Sequence, residues 1–145
     1  MSLFGHSLRH PLYPGLKLVP AVRATTRYPA LTGTFRELTD AAAAGAGAER
    51  GVFPVNGAVR PFLEDEQREA LWALFGVPVL VILLDGRGRV MGWECEVQDG
   101  FHFAQDHHAG LLFGTVETAT CECGRPGPRL LREPAARRLW VPVGA

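Results

Sequence analysis

The spacing of apolar residues along the chain differs from segment to segment, and each regular spacing predicts a helix or a strand. Apolar residues recur at helical spacing after an acidic start and predict a helix over 64–75 that Gly76 ends. A shorter helix is predicted over 34–44, with Thr34 as its N-cap and Glu37 three residues later to complete a capping box. Two helices are therefore expected in the first half of the chain.

Shorter apolar runs predict strands in the second half of the chain. Residues 78–84 form a continuous run of β-branched residues and leucine, the turn sequence Asp85-Gly86-Arg87-Gly88 follows, and 89–97 is a second predicted strand. Further short strands are expected at 101–104, 115–120 and 139–143. This pattern is typical of an α+β domain with a short antiparallel sheet and one or two helices.

The N-terminal part of the chain shows neither the helical nor the strand spacing of apolar residues. Residues 1–35 are rich in proline and aromatic residues, and we expect them to form an arm that packs on the core. The run of alanine and glycine that ends at Ala48 predicts a flexible loop. All 145 residues are expected to belong to one domain, which is an ordinary domain size.

Composition and charge narrow the function classes. Hydrophobic residues make up 47% of the chain, which is typical of a globular protein and excludes wholesale disorder. Fifteen basic residues balance fifteen acidic ones, so no long-range field draws the chain to nucleic acid or to an anionic membrane. Since no apolar run is long enough for a membrane span or a secretory signal, we expect a cytoplasmic protein.

Three cysteines and one histidine form a candidate metal site. If Asp99-Gly100 is a two-residue hairpin loop, Val97 pairs with His102, and Cys95 becomes a diagonal neighbour of His102 on the same face. Alternate residues of Cys121-Glu122-Cys123 also point the same way. Cys95, His102, Cys121 and Cys123 then complete a closed tetrahedral shell, which predicts a structural Zn²⁺ that holds a loop region together.

Other interpretations of these residues stay open. The cysteines could be three unlinked, buried thiols, or two of them could form a disulfide or redox pair. Another thiolate-preferring metal such as iron could also replace zinc. His107 or His108 could take the place of His102 as the fourth ligand. The sequence Asp106-His107-His108 also admits a catalytic metal cluster, although such polar runs are usually solvated turns.

Two segments resemble phenylacetate–coenzyme A ligases. The sequence WECEVQDGFH at 93–102, with Asp106-His107, resembles the ECE-x-x-DG-L-H…EDH stretch of that family. Cys121-Glu122-Cys123-Gly124-Arg125, with Pro128-Arg129, resembles its C-x-C-G-R…PR segment, and the whole resemblance covers residues 64–131. In the family the four equivalent residues bind a structural zinc, so the resemblance implies the same four ligands.

The sequence lacks several motifs that the ligases use for catalysis. The chain lacks a Ser/Thr/Gly-rich phosphate loop, residues 84–88 replace the aromatic-Gly-x-Thr-Glu segment, and no lysine follows Lys17. The interval between His102 and Cys121 is also too short for the ribose-binding strands of the ligases. ATP-dependent adenylation by this chain is therefore not expected.

Three functions remain as hypotheses. The first is a non-catalytic, zinc-stabilised binding or accessory module whose partner is a protein, a small molecule or a second copy of the chain. The second is a zinc protein that binds nucleic acid through Arg125, Arg129, Arg132, Arg137 and Arg138. The third is a zinc-dependent hydrolase that uses Asp106, His107 or His108.

Overall fold

A sheet of nine strands forms the body of the protein. The computed structural model describes residues 8–10, 12–103 and 115–132. The strands are β1 (Leu8–His10), β2 (Tyr13–Pro20), β3 (Arg27–Gly33), β4 (Gly47–Gly57), β5 (Ile82–Leu84), β6 (Val90–Trp93), β7 (Phe101–Phe103), β8 (Thr115–Glu117) and β9 (Arg129–Leu131). Two α-helices, α1 (Phe35–Ala43) and α2 (Asp65–Phe75), and a 3-10 helix over Ala21–Arg23 complete the described elements.

The sheet is mixed, with a parallel and an antiparallel part. Strands β2, β3, β4 and β5 are parallel neighbours, whereas β5, β6, β7, β9 and β8 pair antiparallel in that order. The prediction of a short antiparallel sheet is therefore wrong. Helix α1 connects β3 to β4 and α2 connects β4 to β5, and such crossovers are what parallel pairing requires.

Both predicted helices are confirmed together with their ends. The hydroxyl of Thr34 accepts a hydrogen bond from the backbone N–H of Glu37 at 3.1 Å, and the Glu37 carboxylate accepts one from the N–H of Thr34 at 2.9 Å. This is the expected capping box of α1. Helix α2 ends at Gly76, whose φ of 66° is the left-handed conformation that glycine adopts readily.

The N-terminal part of the chain differs from the predicted arm. Residues 13–33 supply β2 and β3, and Leu18, Ala30 and Leu31 are completely buried in the sheet. Of the alanine-glycine run predicted to be a loop, residues 44–46 lie between α1 and β4, whereas Gly47 and Ala48 lie within β4. Prolines inside β2, β3 and β4 hid the strand pattern, because proline is depleted in strands and weakens any sequence-based assignment.

The sheet buries apolar side chains on both faces. One cluster contains Leu38 of α1, Leu71 of α2 and Leu83 of β5, so the helices cover this face. The second cluster contains Ile82 and Leu84, the neighbours of Leu83, as the alternation of a strand requires. None of the helices in the described part of the chain is long or apolar enough to cross a membrane. The strand predicted at 139–143 lies outside the described residues.

Candidate metal centre

The four predicted ligands come from the antiparallel part of the sheet. Cys95 lies two residues beyond the end of β6, and His102 is the central residue of β7. Cys121 and Cys123 lie in the loop between β8 and β9. Because β7 lies between β6 and β9, these elements bring residues 26 positions apart in sequence to one point.

The predicted two-residue hairpin at Asp99-Gly100 is wrong. His102 pairs with Trp93 and not with Val97, so residues 94–100 form a longer loop. At Glu94 the chain still bonds the segment before β5, because its N–H donates to the carbonyl of Val81 at 2.9 Å and its carboxylate accepts from the N–H of Val81 at 2.7 Å. The chain then turns at 95–98, where the N–H of Gln98 donates to the carbonyl of Cys95 at 2.9 Å. This turn, and not the predicted diagonal pairing, brings Cys95 to His102.

The ligand atoms lie at the spacing of a tetrahedral metal site. The three sulfurs and one imidazole nitrogen all lie within 4.8 Å of one another. The Sγ atoms of Cys95 and Cys121 are 3.7 Å apart, and Sγ of Cys123 is 3.5 Å from Nε2 of His102. Tetrahedral zinc with Zn–S of about 2.3 Å and Zn–N of about 2.0 Å requires S···S near ~3.8 Å and S···N near ~3.5 Å. These two distances are close to the tetrahedral spacings, and the whole cluster is compact enough to hold one ion.

Burial of the site affects its ionisable groups. Cys95, Cys121 and His102 are at most 4% exposed. Desolvation is the largest influence on the thiol of Cys95 and raises its pKa to about 12. Desolvation also lowers the pKa of His102, and the positive charges of Arg129 and Arg125 lower it further. These influences favour the neutral imidazole, which is the form that binds a metal.

The loop at 121–125 forms a compact turn around its two sulfurs. The N–H of Gly124 donates to the carbonyl of Cys121 at 2.9 Å, and the N–H of Arg125 donates to Sγ of Cys123 at 3.4 Å. Burial alone would raise the pKa of Cys123, but the hydrogen bonds from Arg125 and the other cysteines hold it below its usual value. This turn favours a thiolate at Cys123.

A glutamate next to Cys95 ties the two ligand loops to the N-terminal strands. The carboxylate of Glu96 accepts hydrogen bonds from Arg125 and from the hydroxyl of Tyr13, both at 2.8 Å. These two hydrogen bonds are the largest causes that lower the pKa of Glu96 to about 2. Glu96 therefore stays ionised and links three segments that are distant in sequence.

Aromatic rings and a glycine position the histidine ligand. The ring of Trp93 stacks on His102 with 6.4 Å between centroids and an interplanar angle of 19°. A Cβ atom on Gly92 would lie 2.6 Å from the carbonyl oxygen of His102, so only glycine allows β6 and β7 to approach this closely. The pairing of β6 with β7 and the ring of Trp93 thus hold His102 in its place in the cluster.

The four side chains of the cluster were predicted from the sequence, but the two glutamates beside Cys95 were not. All four predicted ligands converge, whereas Asp106, His107 and His108 lie outside the described residues. The roles of Glu94 and Glu96 were not predicted. Their acidic side chains flank Cys95 directly, and that position in the sequence is the signal that could have found them.

The arginines proposed for nucleic-acid binding are engaged within the protein where the structure describes them. Arg125 pairs with Glu96, and Arg129 is 6% exposed and donates to the carbonyl of Asp99 at 2.8 Å. Arg132 donates to the carbonyl of Leu63 at 3.1 Å and lies over the ring of Phe62. Residues 137 and 138 lie outside the described part of the chain. No observation on the described residues therefore favours nucleic acid as a partner.

The fold and the site together define a small mixed-sheet domain with a buried Cys₃His cluster that could hold one metal ion. No protein-family model matches the sequence, and no curated protein matches it significantly.

Proposed function

We propose that this chain is a non-catalytic binding or accessory module whose antiparallel half is stabilised by one zinc ion. The observation that carries the proposal is the convergence of three sulfurs and one imidazole nitrogen within 4.8 Å. Four protein donors fill a tetrahedral shell and leave no position for water or substrate, which is the arrangement of structural zinc sites. A closed shell stabilises a fold and does not activate a nucleophile.

The donor set favours zinc among the available metals. Three thiolates with one imidazole suit zinc, which takes tetrahedral sulfur and nitrogen ligands without preference for another geometry. The resemblance of 93–102 and 121–125 to the zinc-binding segments of phenylacetate–coenzyme A ligases supports the same ion. We therefore propose a relation to the zinc-binding part of those ligases, without their adenylation machinery.

Metal analysis tests the zinc assignment. Protein purified without added metal is expected to contain one zinc ion per chain, and Cys121→Ser is expected to lose it. Glu122→Gln is the matched control, because Glu122 is exposed between the two cysteines and is not a ligand. Cobalt-substituted protein is expected to give the absorption of four-coordinate, thiolate-rich cobalt. Metal-free protein, or equal metal content in both variants, would contradict the proposal.

A separate assay tests the non-catalytic role. Zinc-loaded protein is incubated with ATP, Mg²⁺ and a panel of carboxylic acids, and acyl-adenylate formation is followed by release of pyrophosphate. No release above the background of the Cys121→Ser variant is expected. Acid-dependent release of pyrophosphate would overturn the non-catalytic assignment, even if the zinc site itself were confirmed.

A further inference from the structure

A cleft of about 330 Å³ separates helix α2 from the turn that carries Cys95. One wall belongs to α2, the floor belongs to the segment that leads into β5, and Gln98 of the metal-site turn forms the opposite rim. Its lining residues are Arg68, Glu69, Trp72, Pro78, Val79 and Gln98. The proposed zinc centre therefore adjoins this cleft through a single turn of the chain.

The cleft exposes an aromatic side chain that the fold does not use. Trp72 is 56% exposed, whereas the preceding residue Leu71 is fully buried; Leu74 of the same helix is also exposed, at 51%, but does not line the cleft. Pro78 and Val79 continue the apolar surface beside it. Tryptophan is the residue type most enriched among the energetic anchors of protein interfaces. An indole on the wall of a cleft is thus better suited to contact a partner than an isolated apolar residue on a flat surface.

The charges of the cleft favour a cation. The guanidinium of Arg68 donates to Glu94 at 2.7 Å and to the carbonyl of Val79 at 2.6 Å, so its charge is already balanced. Glu69 is exposed and has no ion pair among the described residues. The cleft therefore presents one unbalanced carboxylate beside an indole face. A cation attracted by the carboxylate can also lie over the indole.

Gln98 supplies an independent observation at the opposite rim. It is the one non-glycine residue of the described chain with a positive φ, at 59°. That conformation costs a residue with a Cβ atom roughly 1–2 kcal/mol, and such strain is concentrated at functional sites. The exposed amide of Gln98 can accept a hydrogen bond from an ammonium or guanidinium group in the cleft.

We propose that this cleft binds a lysine or arginine side chain presented by an extended segment of a partner protein. The aliphatic stem packs on Trp72 and Pro78, and the charged head pairs with Glu69. A free small molecule fits less well, because small-molecule sites bury most of their ligand, whereas Trp72 stays half exposed. A partner's backbone would cover the rest of the indole. This inference rests on the proposed binding role and adds the chemistry of the partner.

Titration with two matched peptides tests the proposal. The probes are a nine-residue glycine-serine peptide with two central lysines and its counterpart with two central glutamates. NMR of the ¹⁵N-labelled protein is expected to show a saturable shift of the Trp72 indole N–H with the lysine peptide only. The affinity is expected to fall as salt is raised, since the pairing with Glu69 is exposed.

Variants assign the contacts. Trp72→Ala and Glu69→Gln are each expected to weaken binding by about 2–5-fold, the effect of an exposed cation–π or ion-pair contact. Glu66→Gln is the matched control, because Glu66 is an exposed acid of α2 that does not line the cleft. Zinc content and thermal unfolding are measured on every sample. Loss of peptide binding in folded, zinc-loaded protein can then be distinguished from loss of the metal.

Three outcomes would overturn the proposal. The first is the absence of a Trp72 shift at millimolar lysine peptide in protein that contains its full zinc. The second is an equal response to the glutamate peptide. The third is binding of n-butylammonium as tightly as the lysine peptide, which would assign the cleft to a free amine and not to a protein segment.

Discussion

The two halves of the sheet are stabilised in different ways. Strands β2 to β5 are parallel, are covered by α1 and α2, and include the two longest strands, of 8 and 11 residues. Strands β6 to β9 are antiparallel and only 3 or 4 residues long. From Val90 onward, the fully buried apolar side chains among the described residues are Met91, Phe101 and Leu130, in addition to two cysteines.

This difference bears on where the candidate metal ligands lie. Most residues of the larger buried cluster belong to the parallel half and its helices, and Met91, Phe101 and Leu130 extend that cluster into the antiparallel half. The antiparallel half has long loops on short strands and little apolar surface to bury, which is the situation in which small domains use a metal. A metal ion held by the Cys₃His cluster would link the loops of this half, where few apolar side chains are buried.

Removal of the metal is expected to destabilise the antiparallel half and not the parallel half. Its effect on stability should be the largest of the changes considered. Structural zinc contributes about 10–16 kcal/mol in zinc-finger peptides, so a chelator is expected to remove order from the antiparallel half. Hydrogen exchange should show loss of protection at Trp93, Phe101 and Leu130, while Leu31 and Val52 keep theirs. Equal loss in both halves would show that they unfold as one unit, and no loss would contradict a structural role for the metal.

A cavity in the parallel half is expected to lower the stability of the protein without loss of the metal. Leu71 is fully buried against the sheet, so Leu71→Ala is expected to lower the free energy of unfolding by about 2–5 kcal/mol. Leu74→Ala in the same helix is the control, because Leu74 is 51% exposed and should change stability by less than about 0.5 kcal/mol. Both variants should keep one zinc per chain by elemental analysis. Loss of zinc from Leu71→Ala would show that the helical core positions the ligands.

Features of the fold that depend on local sequence could be predicted, whereas those that depend on contacts between distant residues could not. Helices α1 and α2 follow from local signals, the Thr34 capping box and Gly76, and both are confirmed. The parallel pairing of β3 with β4 depends on contacts across the crossover through α1, and prolines and glycines obscured both strands. The clustering of the three cysteines with His102 was predicted because cysteine is rare and chemically specific. The predicted hairpin register is wrong, because the chain turns at 95–98 and His102 pairs with Trp93.

The ion pair that joins the two halves should have the next largest effect. Arg68 of α2 contacts Glu94 at the end of β6, and the Glu94 side chain is 6% exposed. Burial raises the pKa of Glu94, and Arg68 opposes this rise. Arg68→Met leaves the carboxylate without its charged partner, so it is expected to cost about 1–3 kcal/mol and to raise the pKa of Glu94 further.

Urea unfolding and the ¹³C chemical shift of the Glu94 carboxyl measure the two effects of Arg68→Met. Arg87→Met is the control, since Arg87 is exposed and its side chain has no ion pair among the described residues. An unchanged carboxyl titration would mean that Arg68 does not compensate the buried charge.

Relief of backbone strain in the metal-site turn should have a smaller effect, in the stabilising direction. Gln98→Gly removes the Cβ atom at a φ of 59°, and we expect a gain of up to about 1 kcal/mol after the larger entropy of the unfolded glycine chain is subtracted. Gln98→Ala keeps the Cβ atom and should bring no gain. Thermal unfolding of zinc-loaded protein compares the two. If alanine stabilises as much as glycine, the turn is not strained.

An effect of similar size, in the destabilising direction, is expected in the hairpin that connects β5 with β6. In the turn between β5 and β6, the carboxylate of Asp85 accepts hydrogen bonds from the backbone N–H groups of Arg87 at 2.8 Å and of Arg89 at 2.9 Å. Desolvation alone would raise the pKa of Asp85, but these bonds, with the Arg89 side chain, hold it below its usual value. A lowered pKa means that the folded state prefers the ionised carboxylate, so Asp85 stabilises the fold at neutral pH.

This contribution should be complete above the unfolded pKa of about 3.9 and should disappear as the pH falls through the lower folded value. Asp85→Asn is therefore expected to cost about 0.5–1.5 kcal/mol at pH 7, because a neutral amide accepts these hydrogen bonds less strongly. Urea unfolding at pH 7 measures the cost, and the ¹³C shift of the Asp85 carboxyl locates the titration. A carboxyl that titrates at or above about 3.9 would show that the turn does not favour the charged form of Asp85.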